Sequence, residues 1–171
     1  MPMGLLQEIL DHPRLVPALI VVLSLSALAA ALASQYWGGL QPCVLCIYQR
    51  YAYLGAVGFG LLGLAAGARP EARRWALALA GLAFLSGAGF ALFHVGVEQQ
   101  WWRGTAGCHA PVFDPDASIA ELRKQLLETS FVPCDVIPWS LFGISMAGYN
   151  VLASLGLAAA SLGAALYTKD R

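Results

Sequence analysis

"LVPALIVVLSLSALAAALASQ", residues 15–35, contains no charged side chain. A helix needs about 20 mostly apolar residues to cross a bilayer core, and this run meets that demand. Three further stretches do the same: 47–66, after a polar start at Gln49 and Arg50, then 75–95 and 141–166. The 171-residue chain is 58% hydrophobic and only 12% charged, against roughly 25% charged in a soluble domain. A soluble bundle would show polar helix faces, and these segments have almost none. They are rich in Gly, Ala and Ser, which let helices approach closely in lipid. The expectation is an all-α fold, a single membrane four-helix bundle over 1–171 with outer loops at 36–46 and 96–140. No cleavable signal peptide is expected, because the first apolar run is too long and lacks a clear cleavage site. The formal net charge is zero, so no basic field points to nucleic acid.

Charge at the loops sets the orientation. The N-terminal tail, the "GARPEARR" turn and the "TKDR" tail hold Arg14, Arg69, Arg73, Arg74, Lys169 and Arg171, six of the ten Lys and Arg. Positive residues in short loops stay inside, so both termini and this turn are expected in the cytoplasm. The other two loops then face outward, and they hold all four cysteines: Cys43, Cys46, Cys108 and Cys134. Tyr36, Trp37, Trp101, Trp102 and Trp139 gather at the same boundary, as interfacial aromatics do. Disulfides persist on that oxidising side.

Within the long outer loop, "DASIAELRKQLLETS" predicts a short amphipathic helix. Ser118 and Glu121 fit a capping box, and Ile119, Leu122 and Leu126 share a face. Between two membrane-tethered ends, such a helix is expected to lie in the interface.

The stretch "QPCVLCIYQR", 41–50, carries the chemistry. Structural zinc sites usually combine two close cysteine pairs, and only one pair is close here, so zinc is weakly signalled and no metal is expected. Haem attachment wants a His after the second Cys, and Ile47 stands there. Two structural disulfides would suit Cys108 and Cys134 better than Cys43 and Cys46, because a bridge across two residues constrains the unfolded chain little. The remaining reading is thiol–disulfide exchange. Cys46 is placed at a helix start, where free amides favour a thiolate. Arg50, one turn on, shares its face and would lower its pKa further. No nucleotide fingerprint and no strand pattern are present. A lipid-soluble quinone is therefore the acceptor that fits, with Arg50 able to bind its oxygen.

Four apolar helices, "PCVLCIYQR", a distal cysteine pair and "WSLFGIS" (139–145) together resemble the DsbB family, disulfide bond formation protein B of the bacterial inner membrane. The resemblance covers nearly the whole chain. It implies reoxidation of a periplasmic DsbA-like dithiol oxidase, with ubiquinone or menaquinone as electron acceptor. It implies that Cys108 and Cys134 form the disulfide attacked by the partner, with Cys108 taking the mixed disulfide. Cys134 would then exchange with Cys43 and release Cys46 toward the quinone, which Arg50 would support. His94 is the histidine nearest to one that contacts quinone in some members, and Glu98 is its candidate partner; a hydrogen bond within the bundle is the other role open to it. His109, beside Cys108, is expected to be a solvated loop residue. Three other readings are a membrane scaffold with structural disulfides, a related oxidase dedicated to another partner, and a vitamin K epoxide reductase-like enzyme. In the last, the C-x-x-C usually sits near the end of a later helix.

Overall fold

A computed structural model describes residues 12–108, 118–120, 123 and 132–169. Four long helices dominate: α1 Leu15–Tyr36, α2 Val44–Ala66, α3 Pro70–Glu98 and α4 Met146–Lys169. Helices α1, α3 and α4 are long and apolar enough to cross a membrane. Helix α2 is as long, but Gln49, Arg50 and three tyrosines in its first half make it less apolar. By that measure three helices among the described residues qualify, where the sequence pattern predicts four.

Each helix packs on the next in sequence, while α1 and α4 barely touch. The burial pattern inverts that of a water-soluble bundle. Inside lie small residues such as Ala56, Ala80 and Ala158, around Phe84 and Tyr53. Outside lie large ones: Leu23, Leu25, Leu61, Leu62, Leu82 and Leu152 are all exposed. An apolar surface of this extent suits lipid, not water. Small residues set the helix spacing. A Cβ on Gly60 would stand 2.8 Å from Val21 Cγ2, and one on Gly81 would stand 2.6 Å from Leu162 Cγ.

Helix ends follow local rules. Pro70 opens α3 at a position where no amide is needed, so polar residues 70–74 join the helix that the apolar pattern starts at 75. Gly67, at φ 56, closes α2 in the left-handed region. At the far end of α3, the Trp101 amide donates to the Gly96 carbonyl and the Gln100 amide to that of Val97. This is a Schellman ending, with Gln100 at φ 59. It turns the chain back, so Trp102 stacks on Phe93 and donates to the Phe93 carbonyl.

Helix α4 starts at Met146, later than the apolar run predicts. Before it, β1 Ser140–Leu141 pairs antiparallel with β2 Ile144–Ser145. The turn between them has Phe142 at φ 50 and Gly143 at φ 78, the pattern of a tight two-residue hairpin. A strand pair this short leaves no readable alternation in the sequence. Of the amphipathic helix expected in 116–130, helical backbone is described at Ile119, Ala120 and Arg123, with Ser118 just before it; the rest lies outside the described residues, as does His109.

Gly60→Leu should force α1 away from α2 and lower stability by about 1–3 kcal/mol. Gly58, which has open space around it, should accept Leu with little change. Thermal unfolding in detergent micelles compares the two, and equal effects would refute this account of the helix contact.

Candidate functional site

The site begins with the cap of α2. Cys43 is extended, at φ −77 and ψ 173, and its sulfur accepts the Cys46 amide at 3.4 Å. The Cys46 sulfur lies 3.2 Å from that of Cys43, close enough for a thiol hydrogen bond. Both are free thiols. The spacing favours a stabilised thiolate at Cys46; in the structure the sulfur that accepts the helix-start amide is that of Cys43. The reason is register, since the helix starts one residue after Cys43 and makes that residue the N-cap. The Cys46 thiol hydrogen bond and the nearby His94 outweigh burial and hold the Cys43 thiol below the usual thiol range.

The outer pair comes to the same place. Cys108 and Cys134 form a disulfide. A short 3-10 turn, Ala106–Cys108, carries Cys108 back to α2. There a Cβ on Gly107 would stand 3.2 Å from Val44 Cγ1, so the turn sits close on the first residue of α2. Cys43, Leu45, Val97, Cys108 and Cys134 make one buried cluster, with Cys46 packed against it. All four sulfurs therefore meet at one end of the bundle.

His94, from α3, is the hub. Its Nε2 lies 3.6 Å from the Cys43 sulfur and 3.9 Å from Glu98 Oε1. Its Nδ1 lies 3.1 Å from Gln49 Nε2. The Gln49 amide is oriented from both sides: Nε2 donates to the Leu45 carbonyl, and Oε1 accepts from Asn150 Nδ2 at 2.5 Å. Gln49 therefore donates to Nδ1, which leaves the neutral imidazole protonated on Nε2, facing Cys43 and Glu98. Asn150 Oδ1 in turn accepts from Tyr53 and Ser154. Ser145 is held twice. Its hydroxyl donates to Glu98 Oε2 at 2.5 Å and accepts the Gly148 amide at the start of α4. Glu98 is thus, as α-helical spacing suggests, near His94, and the hairpin supplies its second partner.

Because α1 and α4 stand apart, a cavity of about 330 Å³ opens between them, reaching α2 and the end of α3. Ala27, Leu28, Ala31, Met146 and Ala153 give it apolar walls; Cys46, Arg50, His94 and Glu98 line it too. Cys43 does not line it. The inner pair is thus two-sided, with Cys43 toward the disulfide and Cys46 toward the cavity. Arg50 donates through Nη1 to Gln35 Oε1 at 2.6 Å and through Nη2 to the Ala31 carbonyl at 3.2 Å. It ties α2 to α1 at the cavity wall. Gln49, Tyr53, Asn150 and Ser154 were not singled out by cysteine spacing. Their signal is simpler: a polar side chain inside an apolar helix marks a candidate site.

Comparison with known proteins agrees with this arrangement. Residues 13–164 match the family described as disulfide bond formation protein DsbB. A disulfide bond formation protein B of Aeromonas salmonicida is 41% identical over 144 residues, covering 82% of this chain and 80% of that one. Its counterpart in Verminephrobacter eiseniae is 36% identical over 152 residues, covering 85% and 82%. That of Shewanella amazonensis is 31% identical over 145 residues, covering 83% of each. The chain belongs to the disulfide bond formation protein B family.

Asn150→Leu should leave Gln49 Oε1 buried without a donor and cost about 1–3 kcal/mol. Reversible unfolding in mixed micelles measures it. A change within about 0.5 kcal/mol, the usual size for a neutral surface site, would contradict the network.

Proposed function

We propose that this member of the disulfide bond formation protein B family reoxidises a DsbA-like dithiol oxidase outside the cytoplasmic membrane and passes the electrons to a membrane quinone. The family supports a membrane protein that forms disulfides. The observation carrying the finer reading is the two-sided inner pair: Cys43 packed with the outer disulfide, Cys46 on an apolar cavity.

On this reading a thiolate of the reduced partner attacks the Cys108 sulfur, and Cys134 leaves as thiolate. Cys134 attacks Cys43 of an oxidised inner pair, and Cys46 leaves. The partner's second thiol then attacks its own sulfur in the mixed disulfide and releases Cys108. Cys108 closes back onto Cys134, which frees Cys43. The balance is two electrons and two protons moved from the partner to the inner pair. The Cys108–Cys134 bridge beside an unbridged Cys43 and Cys46 supports this division into an outer and an inner pair.

The cavity fits a quinone, ubiquinone or menaquinone, by its apolar walls and by the Arg50 donors beside Cys46. When bound, a quinone accepts two electrons and two protons. Arg50 is the residue that would hold a carbonyl oxygen, by a charge-assisted hydrogen bond. His94 holds a proton at Nε2 beside the Cys43 sulfur, and Glu98 and Gln49 hold the ring in that state. The cysteine end faces the periplasm and both termini the cytoplasm, a topology supported by the placement of Lys and Arg.

The proposal is tested with reduced DsbA-like protein and defined quinones. Cys46→Ser should abolish quinone reduction while the helical fold is retained; an unchanged rate would sink the reading. Arg50→Ala should weaken quinone use about 10–100-fold, the value of a charged hydrogen bond, while disulfide exchange with the partner stays near normal. Equal loss of both steps would make Arg50 a folding residue instead.

A further inference from the structure

The inner cysteines and His94 have a second property, separate from thiol exchange. The ligand atoms of Cys43, Cys46 and His94 all lie within 4.8 Å of one another. Sequence spacing shows only one close cysteine pair; the third donor arrives from α3, 51 residues from Cys43. A tetrahedral zinc ion, with Zn–S about 2.3 Å and Zn–N about 2.0 Å, places sulfur and nitrogen about 3.5 Å apart and two sulfurs about 3.8 Å apart. The Cys43 sulfur and His94 Nε2 already stand at 3.6 Å. The two sulfurs stand at 3.2 Å, so a rotation of Cys46 toward the cavity, where space is open, completes the spacing. Glu98 Oε1, 3.9 Å from the same nitrogen, borders the fourth corner.

Charge favours the same occupant. Cys43 and His94 are almost fully buried, 4% and 5% exposed, and an uncompensated cation there would be costly. Two thiolates and a neutral imidazole cancel a divalent charge. Soft sulfur ligands select zinc, cadmium and similar ions over magnesium or calcium.

We propose that the reduced inner pair and His94 form a redox-gated site for a thiophilic divalent cation. Binding joins the ion to both sulfurs and to Nε2 and releases whatever thiol protons the two sulfurs still carry; no electrons move. The imidazole proton then moves to Nδ1, which requires the Gln49 amide to turn over and give up its Leu45 and Asn150 contacts, so that Oε1 accepts it in an outer-sphere bond of the kind that ligating histidines make. Oxidation of the pair to a disulfide removes both thiolates and closes the site. On the reading that these sulfurs carry turnover, the bound ion halts it until a chelator removes the ion.

The test uses full-length reduced protein in detergent, titrated with Co²⁺ and competed with Zn²⁺. Neither quinone nor partner is present, so its outcome is independent of the proposed turnover. A thiolate-to-cobalt absorption band should saturate at one ion per chain and survive in the Cys108→Ser/Cys134→Ser variant. His94→Ala should weaken binding at least tenfold, and Cys46→Ser should remove the band. Binding insensitive to His94→Ala, or a band kept in Cys46→Ser, would overturn the proposal. The Cys46→Ser comparison keeps Cys108 and Cys134, so it decides the matter even where the double variant fails to fold.

Discussion

The buried sulfur of Cys43 is the contact on which the rest depends. It caps α2 through the Cys46 amide, touches the Cys46 sulfur, and faces Nε2 of His94. It also packs in the cluster that contains the Cys108–Cys134 disulfide. A sulfur so placed is held by backbone geometry rather than by a mobile loop. The two extra elements at this end serve the same contact. The Schellman ending of α3 returns the chain toward α2, and the hairpin before α4 brings Ser145 to Glu98.

A second constraint is the cost of polar groups in an apolar medium. Gln49, Tyr53, His94, Glu98, Ser145, Asn150 and Ser154 satisfy one another in one connected set. A chain of this kind fixes more than stability. It dictates which imidazole nitrogen carries the proton, and so what Cys43 meets. The weak contact between α1 and α4 leaves room for the cavity without disturbing that set. Arg50, fastened to Gln35 and the Ala31 carbonyl, keeps the cavity wall in place.

The membrane helices were legible because charge-free runs of bilayer length have few other meanings. That the four cysteines would gather was legible in outline from C-x-x-C before an apolar segment and from the placement of all four in two loops at one end of the bundle. What spacing could not supply was register and approach. A helix start misjudged by a few residues moves the capping sulfur from Cys46 to Cys43. The meeting of His94 with Cys43, and of Asn150 with Gln49, depends on helix rotation that near-uniform apolar faces do not encode. The hairpin at 140–145 was hidden in an apolar run because two-residue strands carry no period. The polar start of α2 was visible, and its glutamine is the residue that holds the imidazole.

The division of the inner pair, with Cys43 serving the outer disulfide and Cys46 serving the cavity, is the central claim. Mapping disulfides by mass spectrometry in a Cys108→Ser variant tests it directly, because Cys134 is then free to pair with either inner cysteine. The account predicts Cys43–Cys134 as the cross-pair formed on oxidation. A predominant Cys46–Cys134 bridge would contradict it.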